Sequence, residues 1–306
     1  MNDIQLRQNE AGQLERLGAM RQVYSFARLI WSLQVFLGVF CVVALTIVSR
    51  LTPALERYSV AWACSIALLD ILLFTPVIRS LVTLAAGIQE LFDCYVLDIP
   101  FNALRVRSKP TREAVIHWSW LYQRCHSNPE FTDLTDWYPA NLGEIQHDIA
   151  RLVCQRTNLS WDCQQRRKYA HGIAWVAGVS AGIIAIVSIN WNIGAADLTI
   201  RLFAPLLPVV LLASRQRQDN IDGSQASDGL IEDIERLIDQ AVSGSISPEQ
   251  LAFQSRQLQD QIYDKRRNSS VVPQFVYRRC RVRQEWLMNK TAEQIVQDVK
   301  RRLKKL

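Results

Sequence analysis

The sequence predicts an all-α fold: a four-span transmembrane helical bundle with a cytosolic helical insertion and a C-terminal helical region. Three observations predict it. No charged residue occurs from Leu29 to Ser49 or from Ala170 to Ala196, and each block reaches the roughly 20 apolar residues that cross about 30 Å of hydrocarbon. Of the 35 Lys and Arg residues, 32 fall on one side of the expected spans, which makes that side the cytoplasm. The remaining segments repeat apolar residues at helical spacing and contain no strand-like alternation. Across 306 residues the net charge is +6, with 21% charged residues, and mean hydropathy is zero. Those averages would suit a soluble enzyme. The segregation of apolar blocks excludes that class, along with disulfide scaffolds and disordered tails.

Residues 1–28 read as a polar cytosolic N-terminal helix without the pattern of a cleavable signal peptide. Residues 29–78 form the first transmembrane hairpin. Its first span, Leu29–Ser49, is bracketed by Arg28 and Arg50. Its second, about Val60–Ile78, contains Asp70, and Leu51-Thr52-Pro53 opens the connection. Residues 79–169 form the cytosolic insertion. Leu81, Leu84, Ile88, Leu91, Phe92, Tyr95 and Val96 recur at helical spacing, so the second span continues as a long helix as far as Pro100. Thr111–Cys125 repeats the pattern, and Glu144–Tyr169 runs as one helix into the third span.

Residues 170–214 hold the second hairpin, with spans at about Ala170–Asn190 and Leu198–Ser214. The latter carries Arg201 near one end, where it can snorkel, and Pro205 and Pro208 inside, tolerated where neighbours satisfy the freed carbonyls. Residues 215–306 form the cytosolic tail. Gly223–Gly229 is the expected linker, followed by an apolar stripe from Leu230 to Val242. Gly244 suits a helix C-cap, and Ser247-Pro248-Glu249-Gln250 reads as a capping box with proline at the first helical position. Ala292, Ile295, Val299, Leu303 and Leu306 mark a last helix.

Residues with chemistry are sparse. The seven cysteines are scattered with no C-x-x-C, and the four histidines form no H-E-x-x-H. No metal or cofactor is therefore expected. The phosphate loop, dinucleotide fingerprint, nucleophile elbow and calcium loop are all missing, so the protein is read as a non-enzyme. Asp70 is the sharpest single residue, because a carboxylate inside a span faces a bundle interior, a partner or water. It either lines a pore or oligomer contact, or simply ties helices together by hydrogen bonds. Gly178 and Gly182, four apart in the third span, would let helices approach closely, within or between subunits.

Arg151–Tyr169 is basic and partly aromatic, with Arg151, Arg156, Trp161, Arg166, Arg167, Lys168 and Tyr169. Arginine forks there would hold phosphate oxygens while a ring stacks on a base. The competing reading is a juxtamembrane basic belt drawn to anionic membrane lipid. The cluster Asp264–Asn268 complements a helix dipole, and Lys300–Lys305 would lie on a membrane surface or end a solvated helix.

Several stretches together resemble a known family. They are Asn2-Asp3-Ile4-x-x-Arg7-Gln8-Asn9 with Leu14 and Arg21-Gln22-x-Tyr24, then Gln89-Glu90-Leu91-Phe92-Asp93, then Asp136-Trp137-Tyr138-Pro139. Cys154-Gln155-Arg156-Thr157-Asn158 with Trp161-Asp162, Arg166-Arg167-x-Tyr169-Ala170, and Gln259-Asp260-x-Ile262-Tyr263 with Arg266-Arg267 complete the set. In this order, from about residue 2 to residue 283, they resemble the bacterial SMODS-associated four-transmembrane effectors. Leu159-Ser160 departs from the bulkier residues expected before Trp161.

The resemblance implies a pore-forming effector of CBASS-type antiphage defence. A functionally linked nucleotidyltransferase would make a cyclic oligonucleotide second messenger. The effector would respond by permeabilising the inner membrane, an abortive infection. The expected partners are that messenger, membrane lipid and further copies in a homo-oligomer, with no DNA or RNA. Both termini are expected in the cytoplasm. Arg156, Arg166 and Arg167, supported by Asn158 and Trp161, are the expected ligand residues, because phosphates need arginine nearby and this stretch abuts the third span. The rival readings are a constitutive channel or transporter, a non-conducting scaffold or receptor, and a membrane-bound enzyme.

Overall fold

The computed structural model describes residues 2–128, 130–190, 194 and 203–304. Its order is helical, with no strand among the described residues. A short α1 (Ile4–Gln8) precedes α2 (Ala11–Val35), which passes through a π-helical turn at Phe36–Phe40 into α3 (Cys41–Leu51). The return path is α4 (Glu56–Leu69), a second π-helical turn at Asp70–Phe74, and α5 (Thr75–Val96). Then come α6 (Arg112–His126), two 3-10 turns at Thr132–Leu134 and Ala140–Glu144, and α7 (His147–Asn190). The chain closes with α8 (Ala204–Val242), α9 (Pro248–Asn268) and α10 (Gln274–Leu303).

Three stretches are long and apolar enough to cross a membrane: Ala11–Ser49, Arg57–Val96 and His147–Ile186. Each is much longer than a span needs. α7 has 44 residues, about 66 Å at 1.5 Å per residue, so roughly half of it stands outside the hydrocarbon. α5 and α8 likewise run from apolar segments into polar ones without a break. The first residues of the expected fourth span, with Arg201, lie outside the described residues. From Ala204 the chain is helical through Pro205 and Pro208.

The extramembrane body has one main core. Leu17 of α2, Ile88 of α5, Tyr122 of α6, Leu152 of α7, Ile234 of α8, Leu258 of α9 and Val296 of α10 all belong to it. Segments from the arm, insertion and tail thus pack around the same apolar centre. α2 reaches it because Leu14, Leu17, Met20 and Val23 recur every third residue and are all buried. A smaller apolar neck, with Ala27, Trp31, Phe74, Ile78, Val82 and Val271 against Tyr169, joins the body to the spans.

Helix ends follow local chemistry. Thr111 caps α6, its hydroxyl accepting from the Ala114 N–H at 3.2 Å. Ser247 and Gln250 form the expected capping box on α9. Gly244 takes φ +70° just after α8, a conformation that costs glycine nothing.

Two expectations need correction. Gly223–Gly229 is no linker but part of unbroken α8. There the Ser227 hydroxyl donates to the Gly223 carbonyl at 2.9 Å, and Gly223 lies so close to α7 that a Cβ would sit 3.1 Å from Arg166 Cδ. Tertiary packing overrides the weak helix propensity of glycine and serine. The helix entering the third span starts at His147 rather than Glu144, which sits in a 3-10 turn. The last helix begins at Gln274, well before the stripe that identified it, because its first half is largely exposed and shows little apolar periodicity.

Candidate functional site

Polar groups gather at two levels, one inside the spans and one in the body. In the spans, Asp70 opens the second π-helical turn. Its Oδ1 accepts from the Thr75 hydroxyl at 3.0 Å and from the Gln34 amide of α2. Arg215 of α8 places Nη1 3.6 Å from Asp70 Oδ2. The carboxylate therefore joins three segments of the bundle. The π-helical turn of the first span begins at Phe36, two residues after Gln34, and π turns widen the helix and free backbone groups. Trp62 of α4 donates its indole N–H to the Leu37 carbonyl there at 3.3 Å.

Close approach of the first two spans occurs at Gly38, where a Cβ would lie 3.3 Å from Ile66 Cγ2. A Cβ at Gly178 or Gly182 would meet nothing within 4 Å among the described residues. Gly38 is thus a small residue at which the first two spans approach, and sequence spacing did not single it out, because it has no partner glycine four residues away.

In the body, Glu90 and Asp93 are fully buried on α5. Asp93 Oδ1 accepts from the Tyr138 hydroxyl at 2.8 Å, and Oδ2 from Arg266 at 2.6 Å and Gln259 at 3.2 Å. Glu90 accepts from Arg256 and Gln259, each at 2.8 Å. Gln155 of α7 donates to Gln259 Oε1 at 3.0 Å, and Gln8 of α1 accepts from the Tyr138 N–H at 2.7 Å. Burial, reinforced by the Asp93 carboxylate, pushes the Tyr138 hydroxyl well above its ordinary range. Burial opposes the Arg266 charge, but Asp93 outweighs it and the guanidinium is held more firmly protonated than usual.

This network ties α1, α5, α7 and α9 to the segment before α7. Its members are largely the residues that carried the family resemblance. What sequence reading missed is that those stretches meet. The signal was present in Glu90 and Asp93, two charges set inside the apolar stripe from Leu84 to Val96.

The five expected ligand residues sit around α7 rather than on one face. Arg156 donates from Nε and Nη2 to Glu235 of α8 at 2.9 and 2.6 Å. Arg167, three turns on along the same face, reaches Asp228 of α8 at 2.5 Å. Arg166 is buried instead, donating to Asp162 at 2.7 Å, the Ser270 carbonyl at 3.0 Å and Asn220 at 3.3 Å. Lys265 also holds Asp162. Burial opposes ionisation of that carboxyl, but the two cations hold it well below the usual carboxylate range. Asn158 points to the Tyr138 hydroxyl at 2.9 Å, and Trp161 meets the Tyr277 ring at 6.2 Å.

One opening borders these residues, and a wider one lies apart from them. Arg156, Trp161 and Gln284 share a pocket of about 60 Å³ between α7 and α10, room for a few waters at most. A wider cleft of about 840 Å³ lies between residues 136–144 and α10. Asp136, Glu144 and Glu293 line it beside Lys290, which Glu293 already pairs. That balance of charge is unsuited to a phosphate ligand.

Comparison with known families places residues 2–295 in a match to the SMODS-associating 4TM effector domain. No curated protein and no solved structure matches the chain.

Proposed function

We propose, from the premise that this chain belongs to the SMODS-associating 4TM effector family, that a cyclic oligonucleotide switches it to a membrane-permeabilising state. The family makes it a membrane effector of CBASS-type antiphage defence, linked to a SMODS nucleotidyltransferase and its cyclic oligonucleotide signal. The finer reading is a homo-oligomeric pore in the inner membrane, both termini cytoplasmic, that ends the infected cell before phage matures.

The observation that supports the switch is the pair of clasps Arg156–Glu235 and Arg167–Asp228 between α7 and α8. Both helices continue from the body into the apolar segments. A phosphate diester offers these arginines the same acceptor chemistry as a carboxylate. Ligand phosphates that take Arg156 and Arg167 release Glu235 and Asp228, and α8 is then free to move against α7. Arg215 on α8 carries that movement to Asp70. The ligand shifts the equilibrium only by its differential affinity for the two states. Trp161 flanks Arg156 as the ring for a base, while Arg166 and Asn158 brace the helix.

The test is dye leak from liposomes holding the purified protein, with a panel of cyclic di- and trinucleotides. Leak with one nucleotide and none without it is the expected result. In the R156Q/R167Q variant, leak no longer depends on nucleotide. A nucleotide response unchanged in that variant overturns the ligand assignment, and no leak with any nucleotide overturns the pore.

A further inference from the structure

We propose that the first two turns of α10 form a lipid anchor, in which Phe275 sinks into the edge of the hydrocarbon and Arg278 and Arg279 hold phosphates of anionic lipid headgroups. The inference needs only that the apolar segments lie in a bilayer. α10 starts at the membrane boundary. Just before it, Val271 packs in the apolar neck with Trp31, Phe74 and Ile78. Gln274 accepts from Arg28, the last charge before the uncharged block that begins at Leu29. Further along, Lys168 lies 3.5 Å from Cys280 and Gln165 donates to Gln284 at 3.2 Å. α10 therefore climbs away from the membrane as α7 descends into it.

Phe275 comes five residues before Cys280, which sets it about level with residue 173 of α7. That is inside the uncharged block that begins at Ala170. The rest of the chain leaves Phe275 67% exposed, and at this height lipid covers the ring, a favourable exchange for water. Arg278 and Arg279 stand about 4.5 and 6 Å higher along the helix. The headgroup layer adds about 5–8 Å on each side of the hydrocarbon, so both guanidinium groups reach the lipid phosphates, which suit their paired donors. At about 100° per residue Phe275 falls between the two arginines on the outer face. Both arginines are exposed and make no ion pair with a described residue. From Gln274 to Gln284 the helix carries no acid.

Free cations mark this height on a second helix too. Arg166 reaches Asn220 at 3.3 Å, which puts Arg217 of α8 at about the height of Arg279. Arg217 is exposed and likewise has no ion pair among the described residues. The α7 arginines that the sequence offered to lipid are spent inside the protein, Arg156 on Glu235, Arg166 on Asp162 and Arg167 on Asp228. The basic end of α10 stands too far away. Lys300 comes 25 residues after Phe275, about 38 Å along the helix. There Lys300 pairs with Glu144 and Arg302 with Asp239. The last helix thus meets lipid at its start, and its basic end is solvated.

The experiment uses the full chain in nanodiscs of phosphatidylglycerol and phosphatidylcholine, with the exposed thiols removed by C64S and C125S. A bimane probe is attached to F275C or, 14 residues further along the same helix, to N289C. Lipids brominated in the upper acyl chain quench the probe at position 275 and leave the one at position 289 unchanged. Equal quenching at the two positions overturns the proposal. The headgroup is then tested by placing the bromine on one lipid at a time. At position 275 phosphatidylglycerol quenches as though enriched about fivefold or more over phosphatidylcholine, since each arginine near an anionic surface contributes about that factor. R278Q/R279Q brings the two lipids to equal effect. A phosphatidylglycerol preference unchanged in that variant, or no preference before the substitution, overturns the proposal.

Discussion

Replacing Asp93 with asparagine tests the buried network most directly. The substitution keeps shape and keeps an oxygen for the Tyr138 hydroxyl, but removes the charge facing Arg266. That guanidinium is only 12% exposed, and its Nη2 already lacks a partner among the described residues. Glu90 is committed to Arg256 and Gln259. Leaving one member of a buried pair uncompensated costs about 3–5 kcal/mol, or about 6–20 °C in melting temperature for a chain of this size. Removing both charges should hurt less than the two single changes added together. In D93N/R266M no charge is stranded, so the double variant should recover about 2 kcal/mol relative to the sum of R266M and D93N. The assay is the tryptophan-fluorescence melt of detergent-purified protein. A D93N loss under about 1 kcal/mol, or strict additivity in the double variant, would refute the view of Asp93–Arg266 as a buried charge pair.

Two further outcomes follow from neighbouring contacts. At Gly223 a valine must push against Arg166 and should cost about 1–3 kcal/mol, whereas G229A meets open space and should stabilise by about 0.4–1 kcal/mol; equal effects at the two sites would contradict the described contact of α8 with α7. Asp162 has a folded pKa held below its unfolded value, so its contribution is present above about pH 4 and is lost as pH falls through the folded value. The melting difference between wild type and D162N should therefore be constant from pH 7 to 5 and shrink below about pH 4; a difference still constant at pH 3 would refute the pairing with Arg166 and Lys265.

Hydrophobic blocks and helix caps act locally, and they settled much about this protein in one dimension. Leu29–Ser49 reads as a span because it carries no charge and is apolar over most of its length. Ser247 and Gln250 had to start a helix because their side chains satisfy backbone donors within three residues. The order of motif residues gave the family for the same reason that it could be read without geometry.

Tertiary structure decided what depends on neighbours far along the chain. Gly223–Gly229 has the composition of a linker, yet packing on α7 makes it helix. Gly38 became a close contact of the first two spans because Ile66 comes to lie against it. Arg156, Arg166 and Arg167 share one basic stretch, but the 100° turn per residue sends Arg166 inward to Asp162 and leaves the other two clasped to α8. Glu90, Asp93, Tyr138, Gln155, Gln259 and Arg266 lie up to 176 positions apart in sequence. Only the folded chain brings them within hydrogen-bond distance, since a buried charge dictates that it must have partners but not where in the sequence they lie.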